Sequence, residues 1–254
     1  MATTSITVQA TPLLAYLLKR ADDALILGHR LSEWCGAAPL MEEEMALANM
    51  GLDLIGQARA LYGYAAEREG AGRTEDDYAY RRDERAFGNL LLLEQPNGDF
   101  AQTMVRQLLY SAFIDPYWRA LMTSPDATLA AIAAKSEKES AYHLRHASEW
   151  VIRLGDGTAE SHRRAQAALE RLWPYTGELF APEDEALVGL VANPPTLRAA
   201  WRETLSRVLA QATLTMPTDG WMQSGGRAGA HSEHLGHLLA ELQYLPRTYP
   251  GAVW

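Results

Sequence analysis

Several polar side chains that could hold a metal ion lie within long apolar stretches of this chain. Glu139 and His143 are four residues apart, which places a carboxylate and an imidazole one helical turn apart on the same face. Di-iron helical bundles use Glu-x-x-His on two helices and one carboxylate from each of two others. No histidine of this sequence lies three residues after a glutamate or an aspartate. The usual di-iron ligand pattern is therefore missing, and Glu139 with His143 is its nearest approach.

Two earlier stretches offer further carboxylates. If the first two helices are antiparallel with a turn near residue 38, Asp53 faces Asp22 and Asp23. Gln57 lies one helical turn after Asp53 on the same face. Because a neutral amide is a weaker metal ligand than imidazole, this group also falls short of a di-iron half-site.

A turn near residue 124 would place Arg106 and Gln107 opposite Glu139 and His143. An arginine in the position of a bridging carboxylate would balance the acids without iron. Buried charges persist only when they are paired, so we favour a network of ion pairs and hydrogen bonds that includes Arg106 or Lys138. A single-metal site and an oxygen-activating centre stay open as alternatives.

Apolar residues recur every three or four positions along most of the chain, which predicts helices. The predicted long helices span Thr11–Trp34, Met41–Glu69, Asp99–Met122 and Ala127–Leu154, and shorter ones span Thr158–Trp173, the stretch from Pro195 to Leu214, and His231–Leu245. The predicted core stripe of the second helix is Met45, Leu47, Met50, Leu54, Ala58 and Leu61. Pro116 should kink or split the third helix. The prediction is an all-α fold, a single domain over residues 1–254 with four long core helices and additional C-terminal helices.

Composition restricts the function classes. A net charge of −9 argues against a nucleic-acid binder, and no apolar run is long enough to span a bilayer. Cys35 is the one cysteine, so no disulfide within the chain is expected and a reducing compartment is the default. The N-terminus has no positive charge before its apolar stretch and does not resemble a secretory signal. We expect a soluble cytoplasmic protein.

The C-terminal region carries two further motifs. Two of His231, His234 and His237 could bind zinc, but a role in a contact between subunits is the favoured interpretation. The glycine-rich stretch from Ser224 to Gly229 could hold a phosphate at a helix N-terminus, and with Arg227 an acyl-CoA. Short glycine-rich loops more often only turn the chain.

Five long segments resemble the PaaC subunit family of bacterial phenylacetyl-CoA epoxidases, in the same order and over nearly the whole chain. They are RLSEWCGAAP (30–39), ALANMGLDLIGQARALYGYAAE (46–67), RDERAFGNLLLLEQPNGDFAQT (82–103), YHLRHASEWVIRLGDGT (142–158) and HSEHLGHLLAELQYLPRTYPG (231–251). The resemblance implies a ferritin-like four-helix bundle within the multicomponent monooxygenase that epoxidises the aromatic ring of phenylacetyl-CoA.

In that system the resemblance implies a related catalytic subunit that holds the di-iron centre, a reductase with flavin and an iron–sulfur cluster, and a small bridging subunit. It implies for this chain a non-catalytic structural role without a cofactor. Because the interfaces of such a subunit are large and apolar, we expect exposed apolar helix faces and a homodimer when the chain is alone. The position of the catalytic subunit's Glu-x-x-His reads Leu54-Ile55-Gly56-Gln57 here, so no catalytic residue is carried over. The alternative is a di-iron or single-metal oxidase, or an iron-binding bundle, that acts alone through Glu139, His143 and the aspartates. A helical acyl-CoA-binding protein is a third possibility.

Overall fold

Nine α-helices and no β-strand make up residues 5–252, the part of the chain that the computed structural model describes. The helices are α1 (Pro12–Ser32), α2 (Met41–Glu69), α3 (Glu75–Tyr80), α4 (Leu91–Glu94), α5 (Phe100–Leu121), α6 (Ala127–Gly155), α7 (Ala159–Leu172), α8 (Arg198–Gln211) and α9 (Glu233–Thr248). Short 3₁₀ turns lie at Glu84–Ala86, Trp173–Tyr175, Gly177–Phe180, Glu185–Leu187, Pro194–Leu197 and Gly226–Ala228. The all-α prediction is confirmed.

Helices α1, α2, α5 and α6 form a four-helix bundle with one long connection. Short turns join α1 to α2 and α5 to α6, whereas residues 70–99 form a crossover that contains α3 and α4. The hydroxyl of Tyr117 donates to that of Tyr16 at 2.8 Å, which joins α5 to α1. The hydroxyl of Tyr64 donates to Asp126 at the start of α6. A bundle with one long crossover has the ferritin-like topology, as the resemblance implied.

The helix boundaries follow from local chemistry. Thr11 caps the start of α1 with Pro12 in the first helical position, and Asp99 and Asp126 accept hydrogen bonds from the first free N–H groups of α5 and α6. Helix α2 ends at Gly70, whose φ of +66° is a left-handed conformation that favours glycine. Such short-range contacts are readable from sequence, and they place the bundle helices where the periodicity predicts them.

Contact between glycines sets the register of α1 against α2. A Cβ added to Gly28 would lie 3.2 Å from the carbonyl oxygen of Gly51, so the two backbones approach closely here. In this register Asp22 lies against Tyr62, which comes more than two helical turns after the predicted partner Asp53. The prediction that Asp53 faces Asp22 and Asp23 is therefore wrong.

Two prolines lie inside helices that continue past them. Helix α5 runs unbroken through Pro116, so of the predicted kink or split the split does not occur, and α9 passes Pro246. A proline removes one backbone donor, but Tyr117 and Trp118 are buried directly after Pro116 and hold the helix in place. None of the described helices combines the length and apolar character that crossing a lipid bilayer requires.

Candidate functional site

The structure separates the predicted polar residues into two clusters. Asp22 and Asp23 form the α1 carboxylate cluster, which faces the crossover and the loop before α9. Asp53, Gln57, Glu139 and His143 form the α2–α6 seam on the other side of α2. The two clusters do not share a hydrogen bond among the described residues, so the single central site expected from the sequence is not formed.

Asp22 forms a buried ion pair with Arg82 of the crossover. Both guanidinium Nη atoms donate to its carboxylate, and the hydroxyl of Tyr62 and the N–H of Gly88 donate as well, the latter at 2.8 Å. Arg82 also donates to the carbonyl oxygens of Tyr78 and Ala86. The side chains of Asp22 and Arg82 are each 1 % exposed. The acid is thus fully bound by protein donors, as a buried charge requires.

Asp23 forms the second pair of this cluster, with Arg227. Nη1 of Arg227 donates to Oδ1 at 2.9 Å and Nη2 to Oδ2 at 2.7 Å, and the N–H of Leu90 donates at 2.8 Å. Arg20 adds a weaker contact at 3.3 Å and continues to Glu183. Burial raises the pKa of Asp23 above its usual value, although Arg227 and Arg20 counteract that rise. The cluster is therefore balanced mainly by Arg82 and Arg227, which helical spacing does not identify.

The α2–α6 seam consists of side-by-side pairs. Nε2 of His143 lies 3.1 Å from Oδ2 of Asp53, and Nε2 of Gln57 donates to Glu139 at 2.8 Å. Nζ of Lys135 lies 3.7 Å from the same glutamate, so Lys135 occupies the role that was assigned to Lys138. Asp53, His143, Gln57 and Glu139 thus each engage at least one side-chain polar atom with a neighbouring residue.

Arg106 does not join either cluster. Its Nη1 donates to the carbonyl oxygen of Gln95 and its Nη2 to Oδ1 of Asn97, both at 2.6 Å. Burial, together with the nearby charge of Arg30, lowers the pKa of Arg106 to about 9. The prediction that Arg106 balances Glu139 and His143 is wrong, because the side chain turns toward the end of the crossover. Gln107 is buried in the bundle.

Across residues 5–252, no three His, Cys, Asp or Glu side chains converge in a way that could hold a metal ion. The residues present therefore do not match a di-iron site. The three C-terminal histidines also separate: the side chain of His231 is fully buried, whereas His237 is exposed. His231 is not available as a zinc ligand, because both of its ring nitrogens are engaged within the protein.

His231 instead joins the start of α9 to the crossover. Its Nδ1 lies 2.8 Å from Glu94 and its Nε2 lies 2.9 Å from the carbonyl oxygen of Phe87. Both partners are acceptors, so both ring nitrogens carry a proton in this arrangement. Burial alone would lower the pKa of His231, but the bonds to Glu94 and Phe87 outweigh it and hold the pKa above its usual value.

The glycine-rich loop is occupied by an internal carboxylate. The N–H groups of Gly225 and Arg227 both donate to Oε1 of Glu178 at 3.1 Å. The N–H of Leu91 donates to the other oxygen at 3.0 Å. The donors that could have held a phosphate are therefore taken by Glu178, and the loop turns the chain against the crossover.

Helix α2 also carries an apolar stripe that faces outward, and its residues were not identified from the sequence. We call Met41, Met45, Ala48, Leu52 and Ile55 the outer stripe; they are spaced by four, three, four and three residues. Met41, Met45 and Leu52 are 73 %, 60 % and 65 % exposed, so the assignment of Met45 to the core is wrong. The buried stripe of α2 begins at Leu47. Two apolar repeats on one helix are the sequence pattern that could have revealed this surface.

Comparisons with known proteins agree with this architecture. The whole chain, residues 1–254, matches the family described as "Phenylacetic acid catabolic protein". The chain is 48 % identical over 246 residues to a protein of Escherichia coli (strain K12) whose name makes it one of the subunits of 1,2-phenylacetyl-CoA epoxidase. The similarity covers 95 % of this chain and 99 % of that protein.

Proposed function

The chain belongs to the family of phenylacetic acid catabolic proteins, and from this membership we propose that it is a non-catalytic structural subunit of a phenylacetyl-CoA 1,2-epoxidase. The observation that supports this role most directly is the pairing of Asp22 and Asp23 with Arg82 and Arg227. In the proposed enzyme a related subunit holds the di-iron centre and carries out the epoxidation. A reductase with flavin and an iron–sulfur cluster supplies electrons, and a small subunit bridges the assembly.

Electrostatics support the absence of a catalytic role. A metal ion at the α1 carboxylate cluster would have to displace Arg82 or Arg227, and either change leaves a buried guanidinium without its counter-ion. Removing one partner of a buried pair costs about 3–5 kcal/mol. The incoming cation would also be repelled by the displaced arginine. Metal binding here is therefore opposed twice, by the lost pair and by the remaining positive charge.

The outer stripe supports a role in assembly. Apolar residues spaced by four and three along a helix form the seam that packs against a second helix. Large exposed apolar patches on soluble proteins mark interaction sites, and methionine adapts its shape to a partner. Beside the stripe, a shallow cavity of about 250 Å³ between α2 and α6 is lined by small residues including Gly56, Ala60 and Ala131. We propose that a helix of the catalytic subunit packs along the stripe, and that a second copy of this chain does so when the partner is absent.

Co-purification tests this proposal. The tagged chain would be co-expressed with the catalytic subunit as wild type, as Leu52→Glu, and as Met45→Glu. Both variants should fold, because each side chain is exposed, and both should retain much less of the catalytic subunit. Val188→Glu is the matched control, since Val188 is 84 % exposed and lies outside α2. If Leu52→Glu and Met45→Glu retain the partner as well as the control does, the outer stripe is not the docking surface.

Two measurements on the isolated chain complete the test. Elemental analysis should find far less than one iron per chain, and a content of two irons per chain would contradict the non-catalytic role. His143→Ala distinguishes the alternative, because an oxidase that uses His143 would lose its iron-dependent oxygen consumption. Light scattering should show a dimer for the wild type and a monomer for Leu52→Glu.

A further inference from the structure

A groove of about 550 Å³ lies where four parts of the chain meet. Its walls come from residues 6–10, from α1, from residues 82–88 of the crossover and from residues 227–229 before α9. The volume is within the range of small-molecule sites. The large apolar residues that line it are Ile6, Val8, Leu18 and Phe87. The groove is separate from the outer stripe, which lies along α2.

The walls are held together by specific contacts. The N–H of Ile6 donates to the carbonyl oxygen of Arg81 at 2.9 Å, and the hydroxyl of Ser5 donates to Asp83 at 2.6 Å. On the opposite wall, Gly229 has a φ of +76°, and a Cβ there would lie 2.3 Å from the carbonyl oxygen of Arg85. Because the backbone is fixed on both sides, the groove is present before any ligand arrives.

The groove is lined by more cationic than anionic side chains, in a chain whose net charge is −9. Its charged lining residues are Lys19, Arg82, Arg85 and Arg227, with Asp22 and Asp83. Arg82 is neutralised by Asp22, and Arg227 by Asp23 behind the groove wall.

Two of these cations have no carboxylate partner among residues 5–252. Within the described residues, neither Lys19 nor Arg85 forms an ion pair with an acid. The carboxylate of Asp83 is engaged by Ser5, and Glu183, whose pKa Lys19 helps to lower, is bound to Arg20. Two cations beside an apolar wall present the charge pattern that attracts an anion.

We propose that this groove binds a small organic carboxylate. The carboxylate group contacts Lys19 and Arg85, and the apolar body packs against Leu18 and Phe87. This site does not depend on the proposed structural role, because it involves neither the outer stripe nor a partner subunit.

Calorimetric titration of the isolated chain with matched probes tests the proposal. Hexanoate supplies both the carboxylate and an apolar body, hexanol supplies only the body, and inorganic phosphate supplies only the charge. Hexanoate should bind saturably and at least about tenfold more tightly than either of the others, since hexanol lacks the charge-assisted hydrogen bonds and phosphate lacks the apolar body, and each is worth about one such factor or more. The affinity should fall as salt is added, because the two cations are partly exposed. Absence of saturable hexanoate binding overturns the proposal, and so does equal binding of phosphate.

Substitutions of lining residues test whether hexanoate binds in this groove. The double substitution Lys19→Gln/Arg85→Gln should remove the preference for hexanoate over hexanol. Lys138→Gln/Arg207→Gln is the control: it removes the same charge from exposed positions elsewhere and should bind as wild type. Ala15→Met fills the groove without changing its charge and should weaken hexanoate binding. Circular dichroism verifies that each variant is folded, and unchanged hexanoate affinity in both groove variants overturns the assignment.

Discussion

Replacing Asp22 with asparagine tests whether protein cations balance the buried acids of α1. The substitution keeps the shape of the side chain and removes its charge. Arg82 would then stay buried without a counter-ion, and the amide nitrogen of the new side chain would meet donor groups from Arg82, Tyr62 and Gly88. Breaking a buried pair in this way costs about 3–5 kcal/mol. For a chain of this size that loss lowers the melting temperature by about 6–20 °C.

Urea denaturation followed by circular dichroism at neutral pH measures this loss. Arg82→Met and the double variant Asp22→Asn/Arg82→Met complete a double-mutant cycle. Because the double variant leaves no unpaired charge, it should be destabilised by less than the sum of the single variants. Glu160→Gln is the control, since this glutamate also contacts two arginines but lies fully exposed, and its loss should leave the melting temperature nearly unchanged.

The outcome that refutes the reasoning is a small effect. If Asp22→Asn costs less than about 1 kcal/mol, or if the double variant is as unstable as the sum of the single ones, the carboxylate does not act as the counter-ion of Arg82. The α1 carboxylate cluster would then be available to other cations, and the electrostatic case for a non-catalytic subunit would fail.

The remaining predictions concern pH and packing. The pKa of His231 is raised in the folded state, so its pairing with Glu94 should stabilise the fold fully below about pH 6.5, the unfolded value, and this stabilisation should be lost as pH rises through the folded pKa. Thermal melts across this range should show a melting temperature that falls as pH rises. His231→Asn should abolish this dependence on pH. Gly155→Ala should destabilise the fold by about 1–3 kcal/mol, because the new Cβ would lie 2.2 Å from the carbonyl oxygen of Ala212. Gly63→Ala, where nothing lies within 4 Å of the new Cβ, should instead stabilise α2 by about 0.5–1 kcal/mol. Equal unfolding free energies for the two alanine variants would contradict the packing predictions. A free energy of unfolding that decreases as the pH is lowered through the folded pKa of His231 would contradict the pH prediction.

The helices were predictable because their determinants are local. The predicted bounds of the second helix, Met41–Glu69, are those of α2, and Asp126 and Gly155 stand at the ends of α6 as the turn residues indicate. Caps, prolines and apolar periodicity act within a few residues of each boundary. Pro116 shows the limit of this reasoning, because burial of its neighbours outweighs the missing backbone donor.

The partners of the acids were not predictable from spacing alone. The sequence identifies Asp22 and Asp23 as charges that need a counter-ion, but Arg82 lies 60 residues after Asp22 and Arg227 lies 204 residues after Asp23. Which arginine lies beside each acid depends on the paths of the crossover and of the loop before α9, which periodicity does not specify. For Glu139 the helical spacing does identify the partner. Lys135 precedes it by four residues and so lies on the same face, whereas Lys138 is its immediate neighbour and does not.

The outer stripe shows a different limit. An apolar repeat on a helix predicts that a face is buried, but it does not state whether the covering surface belongs to the same chain. Helix α2 has two such repeats, and one packs inside the bundle through Leu47 and Leu54 while Met45 and Leu52 remain exposed. An interpretation that allows each helix only one buried face combines the two repeats, which is why Met45 was assigned to the core.

The bond between Asp23 and Arg227 has a consequence for synthesis on the ribosome. The two residues are separated by most of the chain, so the first helix emerges long before its counter-ion is translated. Until then Asp23 has only the weaker contact with Arg20 of its own helix and must stay partly hydrated. Closing so long a loop is entropically unfavourable and slow. We expect the nascent N-terminal hairpin to dock last, after the loop that carries Arg227 leaves the exit tunnel, so completion of the bundle depends on translation of that loop.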